Sequence, residues 1–289
     1  MRVLVAATLL WLQASATVSF DSNRAWEDLR QLVAIGPRPS GSAAIESSRK
    51  YIKDQLAKSG LKATEQAWDD LTPGGPLHMI NLSVTFPGAS KNRIVIGGHY
   101  DTKRFREFTF VGANDGGSSA AFLLEAARVL KDRKNALPIE LLFFDGEEAV
   151  VDWTGTDHTY GSQYYVDAAK KEGTLGKIRA LILVDMIGDR DLRILRESGS
   201  TAWLTDTIWA AAKRLKRPEF ADESTPIEDD HQPFLHAGVP AVDLIDLDYP
   251  EWHQAGDTLD KVSAGSLQAV GDVLLAALPA IEQRLVEKR

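Results

Sequence analysis

The sequence predicts an α/β fold: a single domain with a mostly parallel (mixed) central sheet and helices on both faces. Three observations predict it. The runs IELLFF (139–144), ALILVDMI (180–187) and AVDLI (241–245) are almost continuously apolar, as strands covered on both faces are. Stretches of helical apolar spacing lie at 118–132, 162–171 and 201–215, between or beside those runs, the alternation of a βα fold. Polar residues capable of chemistry recur where the strands end, the edge at which open α/β sheets bind ligands.

The elements follow in order. The N-terminus, MRVLVAATLLWLQASATVSF, has a basic residue, an apolar stretch at 3–12 and the small-residue signal Ala14-Ser15-Ala16. It reads as a signal peptide over 1–16, cut after about Ala16, which implies a secreted or periplasmic protein with a mature domain over 17–289. No later run is read as long and apolar enough to cross a membrane. Trp26, Leu29, Leu32 and Val33 space a helix over 23–35, GPRPSGS breaks it, and a second helix is predicted over 43–58. Residues 79–86 and 93–97 read as the strands of a hairpin around PGASKN. The final helix is predicted over 264–286.

Composition bounds the function. At 289 residues, 44% hydrophobic and 26% charged, the chain can bury a full core. A net charge of −8 disfavours nucleic acid and anionic membranes as partners. There is no cysteine, so export would bring no disulfide and stability rests on the core, helped by any bound metal.

The polar residues fall at strand ends. IVIGGHYD carries His99, GANDGGSS carries Asp115 before a helix, FFDGEE carries Glu147 and Glu148, LVDMIG carries Asp185, and YPEWHQAGDT carries His253. Histidine and carboxylates gathered from separate strand ends suit a zinc ion with an open coordination position. Adjacent glutamates then divide the labour, one as ligand and its neighbour as acid/base. Taken singly each residue has a plainer reading: Asp115, for instance, could cap the helix behind it.

The ordered set GGHYD, GANDGGSS, DGEEA, LVDMIG, DDHQPF and PEWH resembles the zinc aminopeptidase-like clan. Within it the chain is similar to the glutaminyl cyclases over roughly residues 25–285. The longer stretch after Glu148 that carries Trp153, Asp229 in DDHQPF, and Trp252 directly before His253 point to the cyclases. The resemblance implies a zinc aminopeptidase-like fold and one Zn2+ per chain on Asp115, Glu148 and His253. It implies Glu147 as general acid/base, Asp185 and Asp229 as a hydrogen-bonded carboxylate pair beside it, and Trp153 and Trp252 as pocket walls. The substrates implied are peptides or proteins with N-terminal glutamine, and the protein is expected to be a monomer. The family's animal members place a histidine in this network where the chain has Asp243. The alternative is a dinuclear zinc aminopeptidase with His99, Asp115, Glu148, Asp185 and His253 as ligands. His78, His158 and His236 are read as surface or structural, Asp230 and His231 as bracing their loop, and Lys103 with Arg104 as a solvated turn.

Overall fold

A computed structural model describes residues 19–287; the predicted signal peptide lies outside them. Helices α1 (Ser22–Ile35) and α2 (Ala43–Lys58) open the fold. Each is capped as its sequence suggests, Asp21 accepting from the Asn23 amide and Ser42 from the Ile45 amide. Strands β1 (Thr64–Thr72), β2 (Gly75–Phe86) and β3 (Arg93–His99) follow, then α3 (Gly117–Asp132), β4 (Ile139–Phe144), α4 (Tyr160–Lys171) and β5 (Ile178–Asp185). The remainder is β6 (Ile194–Glu197), α5 (Ala202–Leu215), β7 (Phe220–Thr225), α6 (His231–His236), β8 (Ala241–Ile245) and α7 (Ala264–Glu287).

Six strands form one sheet in the order β1-β2-β4-β3-β5-β8. The last four are mutually parallel, and β1 and β2 are added antiparallel. β6 and β7 make a separate two-stranded parallel sheet. Side chains alternate between the faces. Ile94, Ile96, Leu141, Phe143, Ile182 and Val184 pack with α1, α3, α5 and α7. Val95, Leu142, Phe144, Leu181 and Leu183 pack with α4 and α6. Helices therefore cover both faces, and the four parallel strands are almost wholly buried.

Two expectations are corrected. The predicted hairpin of 79–86 with 93–97 does not form, because β4 lies between β2 and β3. β3 and β4 are predominantly apolar and almost wholly buried, and a parallel pair joined through α3 places both runs in the sheet centre. The true hairpin partner of β2 is β1, joined through Thr72-Pro73-Gly74-Gly75, with Thr72 Oγ1 donating to the Gly75 carbonyl at 2.6 Å. The second correction concerns α7. Its 24 residues, with a window of mean hydropathy 1.5, are long and apolar enough to cross a membrane by length and composition. More than half of that window is buried inside the protein, where Leu267, Val270, Val273 and Ile281 join the core. α7 is a core helix.

Candidate active site

The carboxyl ends of β3, β4, β5 and β8 open onto one cavity of about 480 Å3. Each chemical residue reaches it for a local reason. His99 is the last residue of β3. Asp115 belongs to the glycine-rich loop before α3, where Gly116, at φ 72, is the N-cap residue. A Cβ on Gly116 would lie 2.2 Å from the Asp101 carbonyl oxygen, so the loop tolerates only glycine there. Asp115 is thus freed from capping and faces two histidines. Glu147 and Glu148 follow β4, and both their amides donate to the Asp101 carboxylate, at 3.2 and 3.3 Å. Asp185 closes β5, and Met186, at φ 43, turns the chain out of the sheet. His253 sits in the loop between β8 and α7 at φ 53, a left-handed conformation that costs a non-glycine residue about 1–3 kcal/mol.

Two groups of candidate ligands share Asp115: Asp115 with Glu148 and His253, and His99 with Asp115 and Asp185. In the first, His253 Nε2 lies 3.3 Å from both Asp115 Oδ2 and Glu148 Oε1. Glu148 Oε2 is buried and accepts no hydrogen bond; the Lys103 ammonium stands 3.5 Å away. Burial alone would lower the His253 pKa, but the Asp115 and Glu148 carboxylates push it up to about 10. Two buried carboxylates here demand a cation, and one imidazole with two carboxylates is a zinc donor set. These residues fit zinc. In the second group His99 Nε2 lies 3.0 Å from Asp185 Oδ1 and 3.3 Å from Asp115 Oδ1. That Asp185 oxygen already accepts from the Met186 amide and the Ser119 hydroxyl.

Glu147 lines the cavity without belonging to either group. Burial holds its pKa well above the usual carboxylate range; His99 opposes this, and Glu148 and Asp229 add to it. Asp229 is raised in the same way, by burial and then by the charges of Asp243 and Asp185. The expected hydrogen bond between the Asp185 and Asp229 carboxyls does not form: Asp185 Oδ1 accepts from the Met186 amide and the Ser119 hydroxyl, Asp229 Oδ1 accepts from the Asp230 amide, and Asp229 Oδ2 is buried without a hydrogen-bond partner. The cavity wall is apolar where Val151, Trp153, Ile227, Leu247 and Trp252 line it. Trp153 stacks on His158 at 4.2 Å and donates to Glu228 at 3.2 Å.

The model of peptidase family M28 matches residues 81–278. Glutaminyl-peptide cyclotransferase of Drosophila melanogaster is 30% identical over 254 residues, 78% of this chain and 72% of that protein. Among solved structures, Acidobacteriales bacterium glutaminyl cyclase superposes with a TM-score of 0.89 at 38% identity, covering 96% of this chain and 100% of that one. The chain belongs to peptidase family M28, on its glutaminyl cyclase branch. The fold is shared with a Zn-dependent exopeptidase from Parabacteroides distasonis, with a TM-score of 0.81 at 25% identity over 90% of this chain and 98% of that one.

In this M28 chain the predicted residues Asp115, Glu147, Glu148, Trp153, Asp185, Asp229, Trp252 and His253 all line one cavity. His99 lies directly beneath, against Asp115 and Asp185. Asp243 is fully buried behind them, with neither oxygen hydrogen-bonded. His158 is buried under Trp153, while His78 and His236 are exposed. Asp230 accepts from Ser162 at 2.5 Å, and His231 lies between Glu197 and Asp243, bracing the loop as expected. Lys103 is the exception among the plainer readings. It lines the cavity and donates its amide to Glu148 Oε1 at 3.1 Å, so it is no solvated turn. Three bracing residues escaped the sequence reading. Asp101 holds the glutamate pair. Asp257 accepts from the Asn114 and Asp115 amides at 2.8 and 3.1 Å. Arg38, fully buried, donates to the carbonyls of Tyr100, Val111 and Gly112. Asp101 and Asp257 stood inside the quoted HYD and GDT segments; Arg38 carried no signal beyond a proline-flanked arginine.

Proposed function

We propose that this chain is a glutaminyl-peptide cyclotransferase that closes N-terminal glutamine to pyroglutamate and releases ammonia. The observation that carries this reading is Glu147, an unligated buried acid beside a three-donor metal site under tryptophan walls. Asp115, Glu148 and His253 would hold one zinc. A bound zinc supplies a Lewis-acid charge for the side-chain amide carbonyl.

The chain's own residues do the rest. Trp153 and Trp252 enclose the glutamine side chain so that its own α-amine, not water, meets the amide carbon. The amine nitrogen bonds to that carbon, the carbon–nitrogen bond to the amide NH2 breaks, and one proton passes from amine to leaving group. Glu147 carries that proton. Its raised pKa suits the uptake of that proton, since a weakly basic carboxylate accepts a proton poorly. Asp229 and Asp243 are both held well above the usual carboxylate range, Asp229 by burial and then the charges of Asp243 and Asp185, Asp243 by burial and then the charges of Asp185, Glu197 and Asp230. A net carboxylate excess beside Glu147 is thereby limited.

One zinc is favoured over two because the Asp185 oxygen facing His99 is already used by protein donors, while Glu148 Oε2 has no hydrogen-bond partner. The mature protein, 17–289, acts as a monomer in the periplasm or outside the cell on peptides and proteins with N-terminal glutamine. The experiment is mass spectrometry of a glutamine-initiated peptide incubated with the purified mature protein, beside a leucine-initiated control. Loss of ammonia from the first and an intact control are expected. Release of the first residue from either peptide would make the protein an aminopeptidase instead.

A further inference from the structure

His253 is a strained residue held by its neighbours. A left-handed backbone at φ 53 persists in histidine only where the surroundings over-determine it. Three rings surround the imidazole. Trp252 stacks on it with centroids 4.6 Å apart. Phe105 meets it at 5.7 Å and 69°, and Phe110 at 6.0 Å and 89°, both edge to face. Boxed in this way, the imidazole is left in the orientation that puts Nε2 3.3 Å from Asp115 Oδ2 and Glu148 Oε1.

Both phenylalanines come from KRFREFTF, residues 103–110. Phe105 also stacks on Phe108 at 4.5 Å and meets Phe110 at 5.3 Å, so the three phenyl rings are one unit. The same loop begins with Lys103, whose amide donates to Glu148 Oε1. Its two flanks are tied together by Arg38, which binds the carbonyls of Tyr100 on one side and of Val111 and Gly112 on the other. None of the three phenylalanines lines the cavity.

We propose that the loop over 103–110 is the positioning device of the metal site, with Phe105 and Phe110 fixing the His253 ring and the Lys103 amide fixing Glu148. The proposal rests on the reading of Asp115, Glu148 and His253 as zinc ligands. An imidazole already oriented need not be ordered when metal arrives, and residues that orient ligands typically carry about 10–100-fold in metal affinity. The loop phenylalanines are thus positioning residues, acting through His253.

The test is zinc affinity, measured by competition with a chromophoric chelator, for Phe105→Ala, Phe105→Tyr and His253→Ala, with circular dichroism to verify folding. Phe105 is only half buried, so its truncation leaves Phe110 as the core contact. Phe105→Ala is expected to bind zinc about 10–100-fold more weakly, and Phe105→Tyr to bind as the parent does. At saturating zinc, Phe105→Ala should recover most of the parent turnover, because the ring touches no substrate. A folded Phe105→Ala protein with parent zinc affinity, beside a His253→Ala protein that has lost zinc, would overturn the loop's role and leave the ligand set standing. A His253→Ala protein that kept zinc would overturn the ligand set and the loop's role with it. If Phe105→Ala were to unfold, Phe105→Leu, which keeps bulk without the flat ring edge, is read by the same affinity criterion.

Discussion

In the proposed function the two adjacent glutamates divide a task that neither could perform alone. Both are buried beyond the end of β4, both take their backbone geometry from Asp101, and yet their surroundings differ. Glu148 faces His253 and Asp115, and Glu147 faces His99. Glu147→Gln is accordingly expected to lower turnover about 10²–10⁴-fold while zinc stays bound at the parent stoichiometry. Glu148→Gln should lose zinc; metal analysis of the two purified variants separates the roles. A third residue reports on stability instead of chemistry. Asp246, at the end of β8, is buried, and burial together with the charges of Asp189 and Asp248 pushes its pKa up to about 7, against the Arg193 amide that it accepts. Its folded value lies above its unfolded value of 3.8, so the folded protein binds the extra proton. That contribution is complete below about pH 4 and is lost as the pH rises through about 7. Asp246→Asn, which can still accept from the amide, should therefore raise Tm by about 2–4 °C at pH 8.5 and change it little at pH 4, as thermal unfolding at the two pH values would show.

At the scale of elements, the site depends on loops whose positions are set by buried polar anchors. Arg38 illustrates this. It leaves the breaker GPRPSGS, enters the core fully, and satisfies three carbonyls of the segment over 100–112. Its own pKa is lowered to about 10 by that burial, against the raising effect of Asp257, Asp115 and Asp101. Arg38→Met keeps the volume but orphans those carbonyls, at about 1–3 kcal/mol each where they stay buried. A drop in Tm of about 5 °C or more is expected from calorimetry, with zinc affinity weakened alongside because Lys103 and Phe105 lie on the released loop. Periodicity marks some elements and misses others. The runs at 139–144, 180–187 and 241–245 are legible as buried strands because all but one residue of each, Glu140, Asp185 and Asp243, is apolar. β1, TEQAWDDLT, is not, because it is an edge strand with mostly exposed side chains and no clean alternation. β6, β7 and α6 are short, and short elements form through their tertiary neighbours.

For the whole molecule, the sheet edge gathers more negative charge than it can hold without a cation. Asp101, Asp115, Glu147, Glu148, Asp185, Asp229 and Asp243 are all buried near the carboxyl ends of the parallel strands. Zinc binding should therefore stabilise the fold directly. At a free zinc concentration 100 times its Kd the gain is about 2.7 kcal/mol, which corresponds to a Tm roughly 5 °C higher for a domain of this size. Removing zinc with a chelator should lower Tm by that amount, and adding zinc should restore it; scanning calorimetry with and without chelator checks both. What the sequence alone determined is the fold class, the strands of the sheet centre, and which residues gather at the site. Those follow from local properties: apolar runs, glycine-marked turns and polar residues at run ends. What only the tertiary structure decided is the strand order, with β4 between β2 and β3, and the anchoring of the site by Asp101, Asp257 and Arg38. It also decided that Lys103 faces the cavity and that Phe105 and Phe110 pack against His253. These depend on contacts between residues tens to more than a hundred positions apart, and hydrophobic periodicity carries no information on which distant groups will meet.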